Sequence, residues 1–218
     1  MKSEQNEVPM VVIKRLPRYY RYLGELMKQG VNRISSAALS EKMGVTASQI
    51  RQDFNCFGGF GQQGYGYNVP NLYAEIGEIL GLNHGYSLII IGAGNMGHAL
   101  VNYANLEKRG FKVIGIFDND AKKIGTTIKG IVVSDISKLE DFCKQNTVDI
   151  AALSLPRSEV RDVAKRLISV GIKGLWNFSY TEIAVPDDVA IENVHLSDSL
   201  MTLSYKITKI NENYIEKV

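Results

Sequence analysis

A glycine-rich hexapeptide directly after an apolar run constrains the fold of this chain more than any other feature of its sequence. The hexapeptide is Gly92-Ala93-Gly94-Asn95-Met96-Gly97, and it separates the run Tyr86 to Ile91 from a helical pattern. In a G-x-G-x-x-G sequence the first glycine makes a tight turn, the second leaves the backbone open to a pyrophosphate, and the third lets helix and strand pack closely. The sequence therefore predicts a strand, a turn and a helix whose N-terminus receives phosphate.

The residues that follow show the alternation of strand and helix patterns that is typical of an α/β protein. Further β-rich apolar runs cover Lys112 to Phe117, Val148 to Leu155 and Ile172 to Phe178, and helical patterns cover Asn95 to Lys108 and Ser158 to Val170. Strands that alternate with helices form a parallel sheet covered on both faces. The second half of the chain is thus predicted to be a Rossmann-like, doubly wound parallel sheet.

Asp118 is the residue expected to select the dinucleotide. It follows the second predicted strand, 21 residues beyond Gly97, where the acid of a Rossmann unit accepts hydrogen bonds from ribose hydroxyls and repels a 2′-phosphate. NAD(H) is therefore favoured over NADP(H), with Gly92, Ala93, Gly94, Asn95, Met96, Gly97 and Asp118 as binding residues. Coenzyme A or another adenine nucleotide, and a glycine turn without a ligand, are the alternatives.

The chain offers little that would catalyse a reaction of a bound dinucleotide. A dehydrogenase needs a general acid or base near the nicotinamide, but His84 lies in the expected linker, His98 follows the glycine loop and His195 has no evident orienting carboxylate. About 110 residues separate the linker from the C-terminal helix, which leaves no separate substrate domain. A protein that is not an enzyme is expected, with a small NAD-dependent oxidoreductase as the alternative.

The sequence of the first third of the chain predicts a winged helix, which is an α+β domain. Together with the parallel sheet predicted for the second half, the protein is expected to be α/β overall. The predicted helices cover Pro17 to Met27, Ala37 to Met43 after a Ser36 cap, about Thr46 to Phe57 after a Thr46-Gln49 capping box, and Asn71 to Leu80. The second and third join across Gly44-Val45 as a helix-turn-helix. Five glycines among the ten residues 58–67 exclude a helix there and predict a β-hairpin with its aromatic side chains on one face.

This winged helix carries the positive charge of the chain. Residues 1–68 contain nine lysines and arginines against five acids, whereas the whole chain has a net charge of +2. The third helix is expected to expose Ser48, Gln49, Arg51, Gln52 and Asp53, with Ile50 and Phe54 inside, so that polar groups reach base edges in the major groove. The predicted contacts to double-stranded DNA are Ser48, Gln49, Arg51, Gln52, Phe60, Gln62, Gln63 and Tyr65. A merely solvated helix face is the alternative.

Composition excludes several other classes. With 218 residues, 45% hydrophobic and 22% charged, the chain suits a globular protein rather than a disordered or rod-like one. Its apolar runs are too short to span a membrane and its N-terminus is unlike a secretory signal, so a cytoplasmic location is expected. Cys56 and Cys143 lack the spacing of a zinc site or a disulfide framework, and no metal is expected. A redox-sensing Cys56 is the alternative to two inert thiols.

A C-terminal helix from about Asp198 carries a heptad stripe, formed by Leu200, Leu203, Ile207, Ile210 and Tyr214. This stripe must pack on a second surface, because an isolated helix of about 20 residues is only marginally stable in water. Its own domain and a partner subunit remain the two alternatives. The expected organisation is a DNA-binding domain over 1–84, a dinucleotide domain over 85–196 and a dimerisation helix over 197–218.

Five segments together resemble the Rex family of bacterial redox-sensing repressors. They are the run from Thr46 to Phe54, the hairpin GGFGQQGYGY, the fingerprint GAGNMG, the segment from Phe117 to Gly125 and the segment from Gly171 to Phe178. The resemblance implies a homodimer whose C-terminal helix is swapped onto the partner. It also implies binding to operator DNA upstream of fermentation and respiration genes, and release of that DNA when NADH, the preferred form of the cofactor, rises.

The resemblance assigns roles to single residues. It implies that Arg51 reads the major groove, that Tyr103 lines the nicotinamide pocket and that Arg21 couples the DNA domain to the core. The chain departs from the family at Gln52, Gln62 and Gln63, where basic residues are usual, and at His195-Leu196, where Asp-Phe is common. These departures bear on operator preference, on salt dependence and on the contact that precedes the swapped helix.

Overall fold

The chain divides between His84 and Gly85 into two units. The computed structural model describes residues 8–57, 61–62 and 65–215. Each unit is built around its own buried apolar side chains, with one cluster in the first unit and two clusters on either side of a sheet in the second.

Within its described residues, the first unit combines five helices with a small antiparallel sheet. The helices are α1 (Met10–Ile13), α2 (Leu16–Lys28), α3 (Ser36–Met43), α4 (Ala47–Asn55) and α5 (Val69–Ile79). The strands β1 (Arg33–Ile34), β2 (Gly61–Gln62) and β3 (Gly66–Asn68) pair in the order β1-β3-β2. The winged-helix prediction is confirmed, although the short elements α1 and β1 were not expected.

The boundaries of α3 follow from one hydroxyl and one glycine. Ser35 Oγ accepts the Ala38 N–H at 3.0 Å, so Ser35 is the N-cap and the prediction of Ser36 is wrong by one residue. Gly44 ends the helix with φ of 62°, a left-handed conformation that glycine adopts without strain. The chain can therefore turn sharply into α4.

Helix α4 begins as predicted but ends earlier. Thr46 Oγ1 accepts the Gln49 N–H at 3.1 Å and caps the helix. The Gln49 side chain does not complete the capping box, because its Nε2 donates instead to Asp53 at 2.9 Å. The helix ends at Asn55 rather than near Phe57.

An aromatic cluster ties the hairpin to α4. Phe54 packs edge-on against Tyr19 and Tyr67, with ring centroids 5.0 Å away in both pairs. Tyr67 faces inward from β3, whereas Tyr65 is 70% exposed. The prediction that alternate aromatic residues share one face is wrong for this pair, because Tyr65 lies in the turn and does not follow strand alternation.

The described part of the second unit is a seven-stranded sheet with flanking helices. The strands are β4 (Tyr86–Ile91), β5 (Phe111–Asp118), β6 (Thr127–Ile128), β7 (Ile131–Asp135), β8 (Ile150–Leu153), β9 (Gly174–Asn177) and β10 (Ala190–Asn193), in the order β10-β9-β8-β4-β5-β7-β6. The helices are α6 (Asn95–Asn102), α7 (Asn105–Lys108), α8 (Leu139–Gln145), α9 (Val160–Ser169) and α10 (Leu196–Ile215). Only the edge pair β6–β7 is antiparallel among these strands, so the predicted Rossmann-like parallel sheet is confirmed.

The central strand β4 explains why both faces are buried. Ile89 and Ile91 belong to one apolar cluster and Leu88 and Ile90 to the other, because alternate residues of a strand point to opposite faces. Strand β4 has β5 on one side and β8 on the other, so the order of the chain reverses beside it. In open α/β sheets a ligand crevice forms at this place, outside the carboxyl ends of the strands.

Parts of the second unit differ from the sequence-based expectation. The helix predicted over Asn95 to Lys108 is interrupted at Tyr103, where the backbone is extended and the Asn102 amide donates to the His98 carbonyl oxygen at 2.9 Å. An asparagine side chain that satisfies a terminal carbonyl competes with continuation of the helix. The elements β6, β7, β10 and α8 were not expected; most of them are short.

Candidate functional site

The three glycines between β4 and α6 have three different surroundings. Gly92 has φ of 100°, and a Cβ there would lie 2.5 Å from the Ser154 carbonyl oxygen. A Cβ on Gly97 would lie 1.9 Å from the Gly92 carbonyl oxygen, so this glycine allows α6 to pack on the loop. A Cβ on Gly94 would meet no atom of the described residues within 4 Å. The space beside Gly94, at the N-terminus of α6, therefore fits a pyrophosphate group.

Asp118 joins the glycine loop to the loop after β5. Its Oδ2 accepts the Ala93 N–H at 2.6 Å, its Oδ1 accepts the Asp120 N–H at 2.8 Å, and Lys123 Nζ lies 3.2 Å from Oδ2. Burial alone would raise the pKa of Asp118, but the donors from Asp120, Ala93 and Lys123 outweigh it and hold that pKa below its ordinary value. The carboxylate is therefore an anion at neutral pH, although it is only 5% exposed.

A cavity of about 230 Å³ lies beside Asp118 at the carboxyl edge of the sheet. Its apolar lining comes from Ile91, Ile136, Leu155 and Val163, and its polar lining from Asp118, Asn119, Ser158, Glu159, Asp162 and Arg166. An apolar hollow next to the acid at the end of β5 suits the adenine base of a dinucleotide. Apart from Asp118, sequence reasoning missed these residues; the rule that ligands bind at the carboxyl ends of strands would have pointed to Leu155.

Two side chains, Ser154 and Arg166, fix the segments of the chain that form this crevice. Ser154 Oγ lies 3.0 Å from the Ile91 carbonyl oxygen and 2.8 Å from that of Gly92, so it fixes the end of β4 where the glycine loop begins. Arg166 donates to the Glu140 carboxylate at 2.6 and 2.9 Å and to the Ile136 carbonyl oxygen at 2.9 Å. Neither residue was among the predicted site residues.

The other predicted dinucleotide residues have different positions. Asn95 is exposed at the start of α6, and Met96 is half-buried and packs into the core under that helix. Tyr103 is 53% exposed at the opposite end of α6, about 13 Å from Gly94 at 1.5 Å per residue. It lines a separate hollow with Leu106 and Phe111. Its contact with a nicotinamide ring stays a prediction.

The outer face of α4 is the candidate nucleic-acid interface. Ser48, Arg51 and Gln52 are exposed, as predicted, and Gln49 is half-buried. Arg51 Nη1 lies 3.2 Å from Ser36 Oγ, so its guanidinium rests near the N-terminus of α3 in an exposed position. Arg51 and Gln52 therefore remain available to a major groove, while Gln49 is partly engaged by Asp53.

Asp53 does not belong to this face, and the prediction that it is exposed is wrong. It is 1% exposed and accepts hydrogen bonds from Arg15 Nε and Nη2 at 2.7 Å each, from Tyr19 Oη at 2.9 Å and from Gln49 Nε2. Burial would raise the pKa of Asp53, but the hydrogen bonds from Arg15, Gln49 and Tyr19 lower it overall. Burial, reinforced by Asp53, raises the pKa of Tyr19, which therefore stays a proton donor.

The hairpin is described in part. Arg33 Nη1 donates to the Tyr65 carbonyl oxygen at 3.3 Å and its guanidinium lies 5.8 Å from the Tyr65 ring centroid, so Arg33 braces the turn from β1. Gly66 has φ of 71°, and a Cβ there would lie 2.7 Å from the Ile34 carbonyl oxygen. The predicted contacts Phe60 and Gln63 lie outside the described residues, and Gln62 is described only as part of the backbone of β2.

The remaining candidates for metal binding or catalysis are histidine, cysteine and acidic side chains outside the crevice. Across the described ranges, no three His, Cys, Asp or Glu side chains come together as a metal site. No helix in the described part of the chain is long and apolar enough to cross a membrane. His195 stacks on Tyr180 with ring centroids 5.9 Å apart, and His98 is exposed on α6. Both cysteines are free thiols.

Comparison with known proteins supports both halves of this arrangement. A family model described as "Putative DNA-binding protein N-terminus" matches residues 7–55, and one described as "CoA binding domain" matches residues 83–181. The "Redox-sensing transcriptional repressor Rex" of Thermoanaerobacter pseudethanolicus is 56% identical over 207 residues, which cover 95% of this chain and 92% of the relative. The protein of the same name from Caldicellulosiruptor saccharolyticus is 51% identical over 98% of this chain and 96% of its own length.

The chain belongs to the Rex family. Solved structures of RSP, a Rex-family repressor, share its fold: one matches with a TM-score of 0.89 and 52% identity over 97% of this chain and 99% of that one. RSP in complex with β-NAD⁺ and operator DNA matches with a TM-score of 0.88 and 54% identity, covering 96% and 97% of the two chains. RSP in complex with β-NADH matches with a TM-score of 0.89 and 51% identity over 97% and 99%. The family resemblance expected from the sequence is thereby confirmed.

Proposed function

We propose that this Rex-family protein is a transcriptional repressor that binds operator DNA and releases it when NADH binds. The observation that carries the proposal is the presence, in one chain, of a helix-turn-helix with an exposed polar face and a glycine loop that fits a pyrophosphate. RSP, at 51–54% identity, has been solved with NADH and with NAD⁺ and operator DNA. Such a repressor works where the operator is, in the cytoplasm.

The DNA half of the function rests on α4 and the hairpin. Arg51 and Gln52 lie on the exposed face of α4 and would reach base edges. Ser48 and the hairpin, including Tyr65, would contact the neighbouring DNA backbone or grooves. Because α4 carries one arginine, phosphate contacts are few and a modest salt dependence follows. Duplex DNA is the partner proposed for this face.

The nucleotide half rests on the crevice at the carboxyl end of β4. Gly94 and the N-terminus of α6 would hold the pyrophosphate, Asp118 would face the adenosine ribose and the cavity lined by Ile136 and Leu155 would take the adenine. These residues contact the part that NAD⁺ and NADH share and cannot distinguish the two. Discrimination therefore belongs to the nicotinamide end, which we assign to Tyr103 and the start of α10 around Leu196.

We propose that the working form is a homodimer joined through α10. Leu200, Leu203, Ile207 and Ile210 on this helix are each 49–66% exposed in the single chain. A stripe of this size costs free energy in water and is stabilised by packing on a second apolar surface. The swapped helix would also bring the two nicotinamide ends together.

The proposed role is a sensor and not an enzyme. His195 stacks on the Tyr180 ring and His98 is exposed on α6, and within the described part of the chain neither forms an ion pair with a carboxylate that would orient it as a general base. The alternative, a small NAD-dependent oxidoreductase, would turn over NADH with some carbonyl substrate.

A direct test uses the purified full-length protein and duplex DNA from upstream regions of the source genome. Binding measured by fluorescence anisotropy is expected in the absence of NADH and is expected to weaken about 5–150-fold when NADH is added. NAD⁺ serves as the matched control ligand and should leave binding largely intact. DNA binding that NADH does not change would contradict the proposal.

A further inference from the structure

The loop after β5 places the Lys123 ammonium beside Asp118, the acid that is expected to exclude NADP(H). Lys123 Nζ lies 3.2 Å from Asp118 Oδ2 and 3.8 Å from Asp120 Oδ2. Its side chain is 38% exposed, whereas that of Asp118 is 5% exposed. The acid therefore does not present a bare negative charge to the adenosine ribose.

The remaining capacity of Asp118 is small. A carboxylate has about four lone-pair sites, and those of Asp118 already accept two backbone N–H groups, from Ala93 and Asp120, in addition to Lys123. The backbone bonds are internal to the loops and do not change the net charge. Lys123 is different, because it brings an opposite charge and an exposed ammonium that can turn towards a ligand.

Residues 118–123 as a group carry no net charge, since Asp118 and Asp120 are balanced by Lys122 and Lys123. A 2′-phosphate that approached this loop would meet the repulsion of Asp118 and the attraction of the lysine paired with it. The two effects act over nearly the same distance, so the discrimination against a 2′-phosphate depends on their difference.

We propose that Lys123 is a second determinant of cofactor choice, which opposes Asp118 and limits how strongly a 2′-phosphorylated dinucleotide is rejected. The inference rests on the proposed function, because it requires a dinucleotide in this crevice. When Lys123 is removed, Asp118 repels a 2′-phosphate without the cation that is paired with it. When the charge of Asp118 is removed, Lys123 keeps only its longer contact with Asp120, at 3.8 Å, and attracts that phosphate more strongly.

The test is a calorimetric titration of the purified full-length protein with NADH and with NADPH. The readout is the dissociation constant for NADPH divided by that for NADH. Lys123→Ala should raise the NADPH-to-NADH ratio by about 2–5-fold, the effect of one partly exposed ion pair. Asp118→Asn should lower it by about tenfold or more, and Lys123→Ala in that background should reverse most of the change. Lys123→Arg, which keeps the positive charge, should have the same ratio as the wild type.

Lys122→Ala is the matched control, because Lys122 is an exposed neighbour of the same charge. The inference is overturned if Lys123→Ala shifts the ratio no more than this control does. It is also overturned if the variant weakens NADH and NADPH equally, as a structural defect would. In both cases NADH binding by the wild type leaves the proposed function intact. Wild-type protein that binds neither dinucleotide overturns both.

Discussion

Arg15 donates two hydrogen bonds of 2.7 Å to the carboxylate of Asp53, and this pair fixes α4 from its inner side. Arg15 lies between α1 and α2, so the pair connects the start of the chain with the helix that carries Arg51. Tyr19 and Gln49 complete the coordination of the carboxylate. The orientation of the exposed face of α4 therefore depends on a charge buried beneath it.

Replacing Arg15 by alanine should destabilise the first unit. The change leaves the Asp53 carboxylate buried without its cation, and breaking such a pair from one side costs about 3–5 kcal/mol when both partners are buried. Because Arg15 is 27% exposed, we expect about 2–3 kcal/mol. Hydrogen exchange of α4 amides, read by mass spectrometry, measures the effect, with β4 peptides as internal reference. The exposed Arg18→Ala variant is the control, and equal exchange in the two variants would contradict the prediction.

Asp53 should also make the first unit sensitive to acid. Its folded-state pKa lies below the value of about 3.9 in an unfolded chain, so its contribution to stability is present above that pH and is lost as the pH falls through the folded value. The stability difference between wild type and Asp53→Asn should thus be largest near pH 7 and shrink below about pH 4. Urea unfolding by circular dichroism between pH 3 and 7 measures it. A difference that does not vary with pH would rule out an ionised Asp53.

Local patterns in the sequence were enough to predict β4, the glycine loop and the Thr46 cap of α4, because each depends on residues that are close together in the sequence. The burial of Asp53 was not predictable, since its partner Arg15 is 38 positions away and a charged residue on a helix is normally exposed. The pairing of Lys123 with Asp118, five residues earlier, depends on the conformation of the loop after β5, and the cavity beside Asp118 depends on how distant segments of the chain meet. Short edge strands such as β6 carry too few residues to show a period.

Two glycines of the fingerprint should respond differently to alanine. A methyl group on Gly94 would project into open space, so Gly94→Ala should keep the fold and weaken NADH binding by obstructing the pyrophosphate. On Gly97 it would collide with the Gly92 carbonyl oxygen, so Gly97→Ala should destabilise the unit by several kcal/mol, as overpacking does. Thermal unfolding followed by the fluorescence of Trp176, together with NADH titration, separates the two effects. Two variants with the same melting behaviour would contradict this assignment.

Arg51 should contribute sequence-specific affinity for the operator. If its exposed guanidinium reads a guanine, Arg51→Ala should cost about 1–3 kcal/mol and relax preference at one base pair. Arg51→Lys is the matched control, because it retains the charge but not the bidentate geometry. Anisotropy titrations on an operator and on single-base variants measure both. If lysine restores full affinity and preference, Arg51 contacts phosphate rather than a base.

The exposed stripe of α10 should be the dimer interface and the origin of the NADH preference. Leu203 and Ile207 are 50% and 49% exposed in the single chain, and a carboxylate at either position would have to be buried in the proposed interface. Leu203→Glu and Ile207→Glu, and a chain cut after Ser197, are therefore expected to be monomeric and to bind NADH no better than NAD⁺, while the Rossmann-like unit stays folded. Thr202→Glu, which lies on α10 outside the stripe, is the control and should remain dimeric. Light scattering on a sizing column gives the oligomeric state, and titrations with NADH and NAD⁺ give the preference. A cut chain that remains dimeric and still prefers NADH would show that the two nicotinamide ends are not enclosed by this helix.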